Sequence, residues 1–246
     1  MKKNSNLQQN SFGQTVEEIR ERASIEYRNH NYSSAIRLWK LAANQGDAHA
    51  QYILGLTYYI GEIVQESDLI AVEWFRKAAN QGHADAQRYM GKCYAGGIGV
   101  QQSDQIAVEW FRKAAEQGNA AAQCCLGECY YEGVGVNQSY QTAVEWFRKA
   151  AEQGNADAQY YIGLCYLDGH SVQQSYQTAA EWFQLSANQG LSAAQYNLGV
   201  SYEFGNGVPK SYPTAIEWYE KAAGKGFTAA KIALKRLNVW KSPNLN

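Results

Sequence analysis

The sequence predicts an all-α fold in which antiparallel helical hairpins stack on one another, and three observations support this prediction. Glycine recurs at a fixed interval of 36 residues, at Gly46, Gly82, Gly118, Gly154, Gly190 and Gly226. The segment AVEWFRKAAEQG occurs at residues 107–118 and again, letter for letter, at 143–154. Each unit also contains two stretches whose apolar residues follow the helical period. A lone hairpin of this size cannot bury its own apolar face, so the units are expected to form a solenoid.

The repeated segment predicts the second helix of each hairpin, which we call the B helix. Ala107, Trp110 and Phe111 share one helical face, and charged residues occupy the opposite face. Ser103 stands where an N-cap is expected, and Gly118 supplies the positive φ of a C-terminal cap. A serine and a glycine recur at these two positions in every complete unit, so the same helix is expected in each.

The stretch NAAAQCCLGECYYEG, at residues 119–133, predicts the first helix of a hairpin, which we call the A helix. Asn119 is its expected N-cap, and Leu126 lies on its apolar face. Gly127 falls in the middle of this helix, where glycine costs roughly 1 kcal/mol relative to alanine. An aromatic ring packed directly on the helix backbone would explain this glycine. The expected rings are those of the Trp110 series and of the Phe or Tyr that follows each Trp.

The two ends of the array depart from the repeat. Residues 14–46 are expected to form an atypical first repeat, because the turn NHNYSSA is shorter than the others. Residues 227–240 are expected to form a capping helix, since Lys235 replaces the mid-helix glycine and no further B helix follows. The segments 1–13 and 241–246 are expected to be disordered tails, which leaves 14–240 as a single domain.

Composition and charge exclude several classes of partner. The net charge is −1, the isoelectric point is near 6.4, and no run of Lys or Arg stands out, which argues against binding to nucleic acid or to an anionic membrane. No window approaches the ~18 apolar residues of a membrane-spanning helix. The start MKKNSNLQQN turns polar after two lysines, so no signal peptide is expected. We therefore expect a cytoplasmic protein, monomeric on its own, with delivery as a secreted effector left open.

The histidines and glycine-rich turns do not form a recognisable catalytic or metal-binding motif. The four histidines fall in turns or at helix starts of different units, at His30, His49, His83 and His170. None belongs to a motif such as HExxH, and the glycine-rich turns lack the GK[ST] of a phosphate-binding loop. The sequence therefore predicts no catalytic residue, no cofactor and no metal ion.

The five cysteines are expected to be free thiols. Cys93, Cys129 and Cys165 occupy one repeat position, where Thr57 and Ser201 also stand, which indicates a slot for a small residue beside the core. Adjacent helices in a stack lie about 8–10 Å apart. That distance exceeds the limit of about 7 Å between the Cα atoms of a disulfide.

The combined pattern A-x3-LG-x2-Y-x2-G-x-G-V…A-x2-WF-x2-AA-x-QG resembles the Sel1-like repeat, a relative of the tetratricopeptide repeat. The resemblance implies a right-handed α/α superhelix, or solenoid, of 36-residue repeats with a C-terminal capping helix. The complete units are 47–82, 83–118, 119–154, 155–190 and 191–226. The segments at 61–64 and 169–172 lack the second turn glycine, which is expected to change those turns and not the fold.

By the same resemblance, the A helices line a concave groove that binds the partner. The residues predicted to face this groove are Tyr52, Leu56, Tyr59, Arg88, Lys92, Glu128, Tyr131, Glu132, Tyr160, Leu164, Leu167, Asp168, Tyr196, Val200, Glu203 and Phe204. Their carboxylates would make the middle and C-terminal part acidic, whereas Arg88 and Lys92 form an earlier basic spot. Replacing Tyr160 and Leu164 by alanine is expected to abolish partner binding with little loss of stability. The alternative interpretation is that solvent-facing positions vary by drift and that some of these tyrosines pack between units.

The predicted function is that of a non-catalytic scaffold or adaptor that binds a peptide or protein partner in the groove. The resemblance implies bacterial roles in signalling, host interaction or neutralisation of a toxin. Two alternatives remain at this stage. One is a weak hydrolase of the cysteine-rich Sel1-like type, and the other is a purely structural array without a ligand.

Overall fold

The computed structural model describes residues 14–241, and in this range the chain forms thirteen α-helices and no β-strand. The helices are α1 (Val16–Arg28), α2 (Tyr32–Asn44), α3 (Ala48–Ile60), α4 (Asp68–Asn80), α5 (Ala84–Gly96), α6 (Asp104–Glu116), α7 (Ala120–Glu132), α8 (Tyr140–Glu152), α9 (Ala156–Asp168), α10 (Tyr176–Asn188), α11 (Ser192–Phe204), α12 (Tyr212–Gly224) and α13 (Thr228–Lys241). Odd-numbered helices are the predicted A helices, and even-numbered helices up to α12 are the predicted B helices. The predicted tail 1–13 lies outside the described residues, as do residues 242–246 of the second predicted tail.

The chain divides into two compact units, Met1–Ala122 and Gln123–Asn246. The described part of the first unit contains the hairpins α1–α2, α3–α4 and α5–α6, stacked in chain order. The second unit begins within α7 and continues with α8, the hairpins α9–α10 and α11–α12, and helix α13. Within each unit a B helix packs against the next A helix as well as against its own. The predicted all-α stack of hairpins with a C-terminal helix is confirmed.

Capping residues mark the ends of most helices, although Asn31 before α2 and Leu191 before α11 form no side-chain cap. Ser139 Oγ accepts a hydrogen bond from the backbone N–H of Thr142 at 3.2 Å, at the start of a B helix. Asn155 Oδ1 accepts one from the backbone N–H of Ala158 at 2.8 Å, at the start of an A helix. The same A helix ends at Gly169, whose φ of 75° lies in the left-handed region that favours glycine.

The glycine in the middle of each A helix lies against an aromatic ring, as predicted. A Cβ atom added to Gly163 would lie 2.5 Å from Cε1 of Phe183, which is closer than carbon atoms can pack. The same contact recurs at Gly55, Gly91, Gly127 and Gly199, in each case with the Phe or Tyr of the following B helix. The glycine therefore brings the two helices of a hairpin close together, and this contact offsets its poor helix propensity.

The tryptophans were expected at the same contact, and that part of the prediction is wrong. Trp146 is half-buried, and the ammonium of Lys149 lies 4.1 Å from the centroid of its ring. Consecutive helical residues point about 100° apart, so a B helix that turns its Phe toward its own A helix turns the Trp elsewhere. Trp74 accordingly packs against the apolar cluster of the preceding hairpin. The phenylalanines close each hairpin, and the tryptophans contribute to joining successive hairpins.

A relay of buried glutamines links the hairpins, and our sequence analysis missed it. Gln87 Nε2 donates to the backbone carbonyl of Ala79 at 3.1 Å, and Gln87 Oε1 accepts from Gln117 Nε2 at 2.6 Å. The same arrangement recurs around Gln51 and Gln159. The available signal was the recurrence of glutamine at a position predicted to lie inside a helix beside the core.

The last hairpin interrupts this relay and carries the cap. Lys225 replaces the second glutamine and donates to the carbonyl of Gly190, which leaves Gln195 Oε1 buried without a hydrogen-bond partner in the described structure. Ala230 and Leu237 of α13 pack into the apolar cluster of α12. Lys235 is exposed, in agreement with the predicted capping helix.

Candidate functional site

The A helices of the first unit carry a group of aromatic rings that we call the α3–α5 ring cluster. Tyr89 stacks on Phe75, with 5.0 Å between ring centroids and 17° between ring planes. Tyr59 stands edge-on to both rings, 6.1 Å from Phe75 and 5.6 Å from Tyr89. Tyr52 lies 5.9 Å from Tyr89. Phe75 is buried, whereas the three tyrosines are half-buried, so the cluster reaches from the core to the surface.

Two cations border the α3–α5 ring cluster. The guanidinium of Arg88 lies 4.4 Å from the Tyr89 centroid, and the ammonium of Lys92 lies 5.7 Å from it. Within residues 14–241 neither cation has a carboxylate at ion-pair distance. The predicted residues Tyr52, Leu56, Tyr59, Arg88 and Lys92 thus lie at one surface, which combines aromatic rings with positive charge.

A histidine caps helix α5 beside this surface. His83 Nδ1 accepts a hydrogen bond from the backbone N–H of Ala86 at 3.3 Å, and its ring stacks on Tyr52 at 4.7 Å. This bond requires the unprotonated nitrogen. Burial lowers the pKa of His83 below its ordinary value, and neighbouring His49 lowers it further. Burial and the Asp85 carboxylate raise the pKa of Tyr52 to about 12.

The second unit contains a similar group, which we call the α7–α9 ring cluster. Tyr161 stacks on Phe147, with 4.7 Å between centroids and 2° between planes. Tyr131 lies 5.8 Å from Tyr161 and 6.2 Å from Phe147. Its hydroxyl is 3.2 Å from Nδ1 of His170, and the His170 ring stacks on Tyr140 at 4.0 Å. The predicted residue Tyr131 therefore stands at the centre of a network of rings.

Carboxylates border the α7–α9 ring cluster in place of cations. Glu132 and Asp168 are exposed, and neither forms an ion pair with another described residue. Glu128 is half-buried and accepts a hydrogen bond from the Cys124 thiol at 3.4 Å. Burial raises the pKa of Tyr161, and the Glu128 carboxylate raises it further. The surface beside these rings is therefore negative.

Several predicted groove residues in the second unit take part in core packing. Tyr160, Leu164 and Leu167 are half-buried against the cluster of Phe183 and its neighbours. Tyr196 and Val200 likewise pack against the last core cluster, and the ring centroids of Tyr196 and Tyr219 are 5.6 Å apart. Removing Tyr160 and Leu164 must therefore cost stability. The expectation that this double substitution would leave stability almost unchanged is therefore wrong.

Glu203 also departs from its predicted place at the surface. The residue is 5% exposed, and Oε2 accepts a hydrogen bond from the Tyr219 hydroxyl at 2.7 Å. Oε1 is paired with Arg236 of α13. Two partners distant in sequence thus draw this carboxylate inward, and it serves to hold the capping helix. Phe204, the next residue, is 56% exposed.

Several residues that complete the ring clusters were not predicted from the sequence. Tyr89 and Tyr161 are the sixth residues of their A helices, a position that holds Ile53, Cys125 and Asn197 in the other repeats. This variation was the available signal. His170 was assigned to an ordinary turn, and its contact with Tyr131 joins residues 39 positions apart.

The described residues offer no group of three or more His, Cys, Asp or Glu side chains that could hold a metal ion. Cys93, Cys124 and Cys165 are buried free thiols. Burial and Asp68 raise the pKa of Cys93 to about 11, and burial and Asp168 raise that of Cys165 to about 12. Since the thiolate is the nucleophilic form, these two thiols are unreactive at neutral pH. No helix within residues 14–241 has the length and apolarity needed to cross a membrane.

Comparison with known proteins supports one family. The family model described as Sel1 repeat matches six segments, at residues 27–47, 48–83, 84–119, 120–155, 156–191 and 192–227. A comparison with curated proteins gives no match. Among solved structures, a Sel1 repeat protein from Oxalobacter formigenes is 31% identical with a TM-score of 0.85, and the match covers 93% of this chain and 91% of that one.

Two further structures place the fold among bacterial proteins. The protective antigen c5321 of uropathogenic Escherichia coli is 34% identical to this chain, with a TM-score of 0.77. The match covers 90% of this chain and 51% of that protein, so this chain spans about half the length of c5321. The immunity protein Pa5087 of Pseudomonas aeruginosa is 20% identical with a TM-score of 0.50, over 92% of this chain and 83% of that one, a likeness that shows the fold alone. Sel1 repeat proteins generally mediate protein–protein interactions, and their fold is typically non-catalytic. This chain belongs to the Sel1 repeat family, the assignment that its 36-residue pattern predicted.

Proposed function

We propose that this chain is a non-catalytic scaffold that binds a protein or peptide partner on the face formed by its A helices. One observation carries this proposal: the segment AVEWFRKAA is identical in the B helices α4, α6 and α8, whereas the A helices carry half-buried aromatic clusters bordered by different charges. Aromatic residues and arginine are the side chains most often responsible for binding energy at protein interfaces. A repeated frame with a variable aromatic face fits a protein that selects a partner.

The charges beside the rings specify the chemistry of that partner. Exposed Glu132 and Asp168 favour a cationic segment at the α7–α9 ring cluster. Arg88 and Lys92 favour an anionic segment at the α3–α5 ring cluster. Complementary charges raise association rates and exclude wrong partners, and their contribution falls as salt increases. The raised pKa of the buried thiols supports a role without catalysis. Signalling, host interaction and toxin neutralisation in bacteria are the roles that we propose for such a scaffold.

Affinity capture followed by quantitative binding tests this proposal. A protein captured from the source organism is purified, and its affinity is measured by calorimetry for the parent chain and for two double variants. The test variant is Glu132→Gln with Asp168→Asn on the A-helix face. The control is Glu145→Gln with Glu152→Gln, which removes two exposed carboxylates from helix α8 of the same unit.

We expect the test variant to bind at least about tenfold more weakly, a loss of about 1.4 kcal/mol, and the control to match the parent. The difference should shrink as salt is raised, because it comes from exposed charges. Equal affinity in the parent and both variants would contradict the proposed binding face. Absence of any specific partner would instead favour a purely structural array.

A further inference from the structure

The first unit contains a cavity of about 350 Å³ between helices α1 and α3, which we call the α1–α3 cavity. This volume lies at the lower end of the ~300–1,000 Å³ typical of ligand sites. Its walls are mainly apolar, with Tyr27, Trp39, Ile53, Leu56, Ile60 and Ile63 among the lining residues. Ile60 is 53% exposed, so the cavity reaches the surface. Leu56 also belongs to the proposed binding face.

Two other hairpin junctions fill this position with an aromatic ring. In the α3–α5 ring cluster, Tyr89 stacks on Phe75, and Tyr59 stands beside both rings. In the α7–α9 ring cluster, Tyr161, Phe147 and Tyr131 repeat this arrangement. These two junctions therefore contain a triad of rings: one from the B helix, one from its own A helix and one from the next A helix.

The first junction has two members of the triad and lacks the third. Trp39 occupies the eighth position of α2, as Phe75 does in α4, and Tyr27 occupies the twelfth position of α1, as Tyr59 does in α3. The rings of Tyr27 and Trp39 are 5.4 Å apart. The sixth position of α3 holds Ile53 in place of the stacked tyrosine. The α1–α3 cavity is lined by all three residues, and it lies where the missing ring would pack.

Trp39 adds a buried polar group to the first junction. Trp39 is 5% exposed, and its indole Nε1 is buried with no hydrogen-bond partner among the described residues. Buried donors without a partner are rare and costly in native proteins. Phe75 and Phe147 carry no such donor. The first junction therefore pairs an unfilled space for a ring with a donor that lacks an acceptor.

The turn after α3 adds to the apolar wall of the cavity. The segment Gly61-Glu62-Ile63-Val64 has Ile63 where three of the other repeats have the second turn glycine. In the next repeat that glycine, Gly99, packs so close to the carbonyl of Asp68 that a Cβ atom would lie 2.5 Å from the oxygen. Ile63 stands at the corresponding place after α3, and its side chain lines the cavity.

We propose that the α1–α3 cavity takes an aromatic side chain of the partner polypeptide, which stacks on Trp39 as Tyr89 stacks on Phe75 and brings an oxygen acceptor to Trp39 Nε1. The acceptor is the phenol oxygen or a backbone carbonyl of the inserted residue. This inference rests on the proposed function, because it makes a protein or peptide the source of the ring. It adds a specific anchor to a binding face otherwise defined by clusters and charges.

The first test uses N-acetyl-L-tyrosinamide, which carries both a ring and amide carbonyls. The indole N–H signals of the seven tryptophans are followed by ¹H–¹⁵N NMR, and the Trp39 signal is assigned with the Trp39→Phe variant. We expect a saturable shift of the Trp39 signal, because its N–H gains an acceptor. N-acetyl-L-leucinamide at the same concentrations should produce at most a tenth of that shift. No saturable shift with the tyrosine probe, or an equal shift with the leucine probe, would overturn the proposal.

A second test fills the cavity from within. Ile53→Tyr places a ring at the sixth position of α3, as the chain itself does in α5 and α9. We expect this variant to keep its melting temperature and to lose the response of Trp39 to the tyrosine probe. Leu69→Tyr is the matched control, since it adds the same side chain at a position on α4 that is 69% exposed. An unchanged response in Ile53→Tyr would overturn the proposal.

Binding measurements with the captured partner test the cavity proposal separately from the proposed scaffold function. We expect Ile53→Tyr to weaken binding of the partner at least tenfold. If the charge variants of the α7–α9 ring cluster lose the partner while Ile53→Tyr retains it, the scaffold function stands and the cavity proposal fails. If the tyrosine probe binds the cavity but the charge variants bind the partner normally, the proposed face fails instead.

Discussion

The two ring clusters share one geometry and differ in their electrostatic surroundings. Tyr89 on Phe75 and Tyr161 on Phe147 stack at 5.0 and 4.7 Å, each beside a further tyrosine of the preceding A helix. Arg88 and Lys92 border the first cluster, whereas Glu132 and Asp168 border the second. The comparison indicates that the stacked rings stabilise the packing of successive hairpins in both units. The charged side chains around the rings differ between the two units. Changes to the rings should therefore affect both units alike, and changes to their neighbours should not.

The largest expected effect comes from the buried ring itself. Phe75→Ala and Phe147→Ala should each cost ~3–5 kcal/mol, because each leaves a cavity against a mid-helix glycine. Trp146→Ala should cost less, since that side chain is half-buried. Urea unfolding followed by circular dichroism measures the three values. A loss for Trp146→Ala that equals or exceeds the loss for Phe147→Ala would reverse the roles assigned to the two rings.

A smaller effect is expected from the glycine beneath the ring. Gly91→Ala and Gly163→Ala should each destabilise the chain by ~1–3 kcal/mol, although alanine is the better helix former. The added methyl carbon would meet the ring of Phe111 or Phe183 at 2.5 Å. Gly224→Ala is the control, because its Cβ would meet no atom within 4 Å. Thermal melts in which the first two variants match the control would show that the rings can move aside.

The stability of the two units should depend differently on pH. His83 caps α5 through an unprotonated nitrogen, and burial places its pKa below the ordinary value of 6.5, whereas Asn155 caps the corresponding helix of the second unit. The unfolded chain therefore binds this proton more readily than the folded chain does. Stability from this site is complete above pH ~6.5 and falls as the pH drops from there through the lower folded-state value.

The variant His83→Asn tests this assignment. Melting temperatures of the parent should fall between pH 7 and pH 5 by more than those of the variant, because asparagine caps the helix without titrating. His30→Asn controls for the loss of an exposed histidine elsewhere in the first unit. Parallel pH curves for the parent and His83→Asn would show that another group is responsible.

The smallest effects on stability belong to the charges that distinguish the clusters. Lys92→Gln and Asp168→Asn should change the free energy of unfolding by no more than about 0.5 kcal/mol, because both side chains are exposed and outside the core. Urea unfolding provides this value, and calorimetry with the captured partner provides the change in affinity. A large loss of stability for either variant would mean that the charged side chain stabilises the fold and is not reserved for binding the partner.

The periodicity of the sequence was sufficient for the hairpins, because capping residues, apolar faces and turn glycines all repeat at one interval. It could not distinguish the roles of Trp146 and Phe147, since neighbouring residues at one edge of an apolar face look equally suited to the core. The burial of Glu203 escaped prediction for a different reason. Its partners Tyr219 and Arg236 lie 16 and 33 residues away, and only the folded chain brings them together.

The predicted binding positions remain a proposal, although their grouping has a physical basis. The variable positions of the A helices could be found by comparing the repeats. Which of them contact each other, such as Tyr131 with His170 or Tyr52 with His83, depends on side-chain packing between repeats that the pattern does not encode. The α1–α3 cavity could not be predicted from the sequence for the same reason, because it forms where Ile53 lies beside Tyr27 and Trp39 of another hairpin.

The central claim is that the aromatic A-helix face binds the partner, and hydroxyl-radical footprinting tests it most directly. Side-chain oxidation is measured by mass spectrometry for the chain alone and for its complex with the captured partner. We expect protection of Tyr52, Tyr89, Tyr131 and Tyr161, while Trp74, Trp110 and Trp146 on the B helices keep their reactivity. Protection of the tryptophans with unchanged oxidation of the tyrosines would contradict the account and move the binding surface to the B helices.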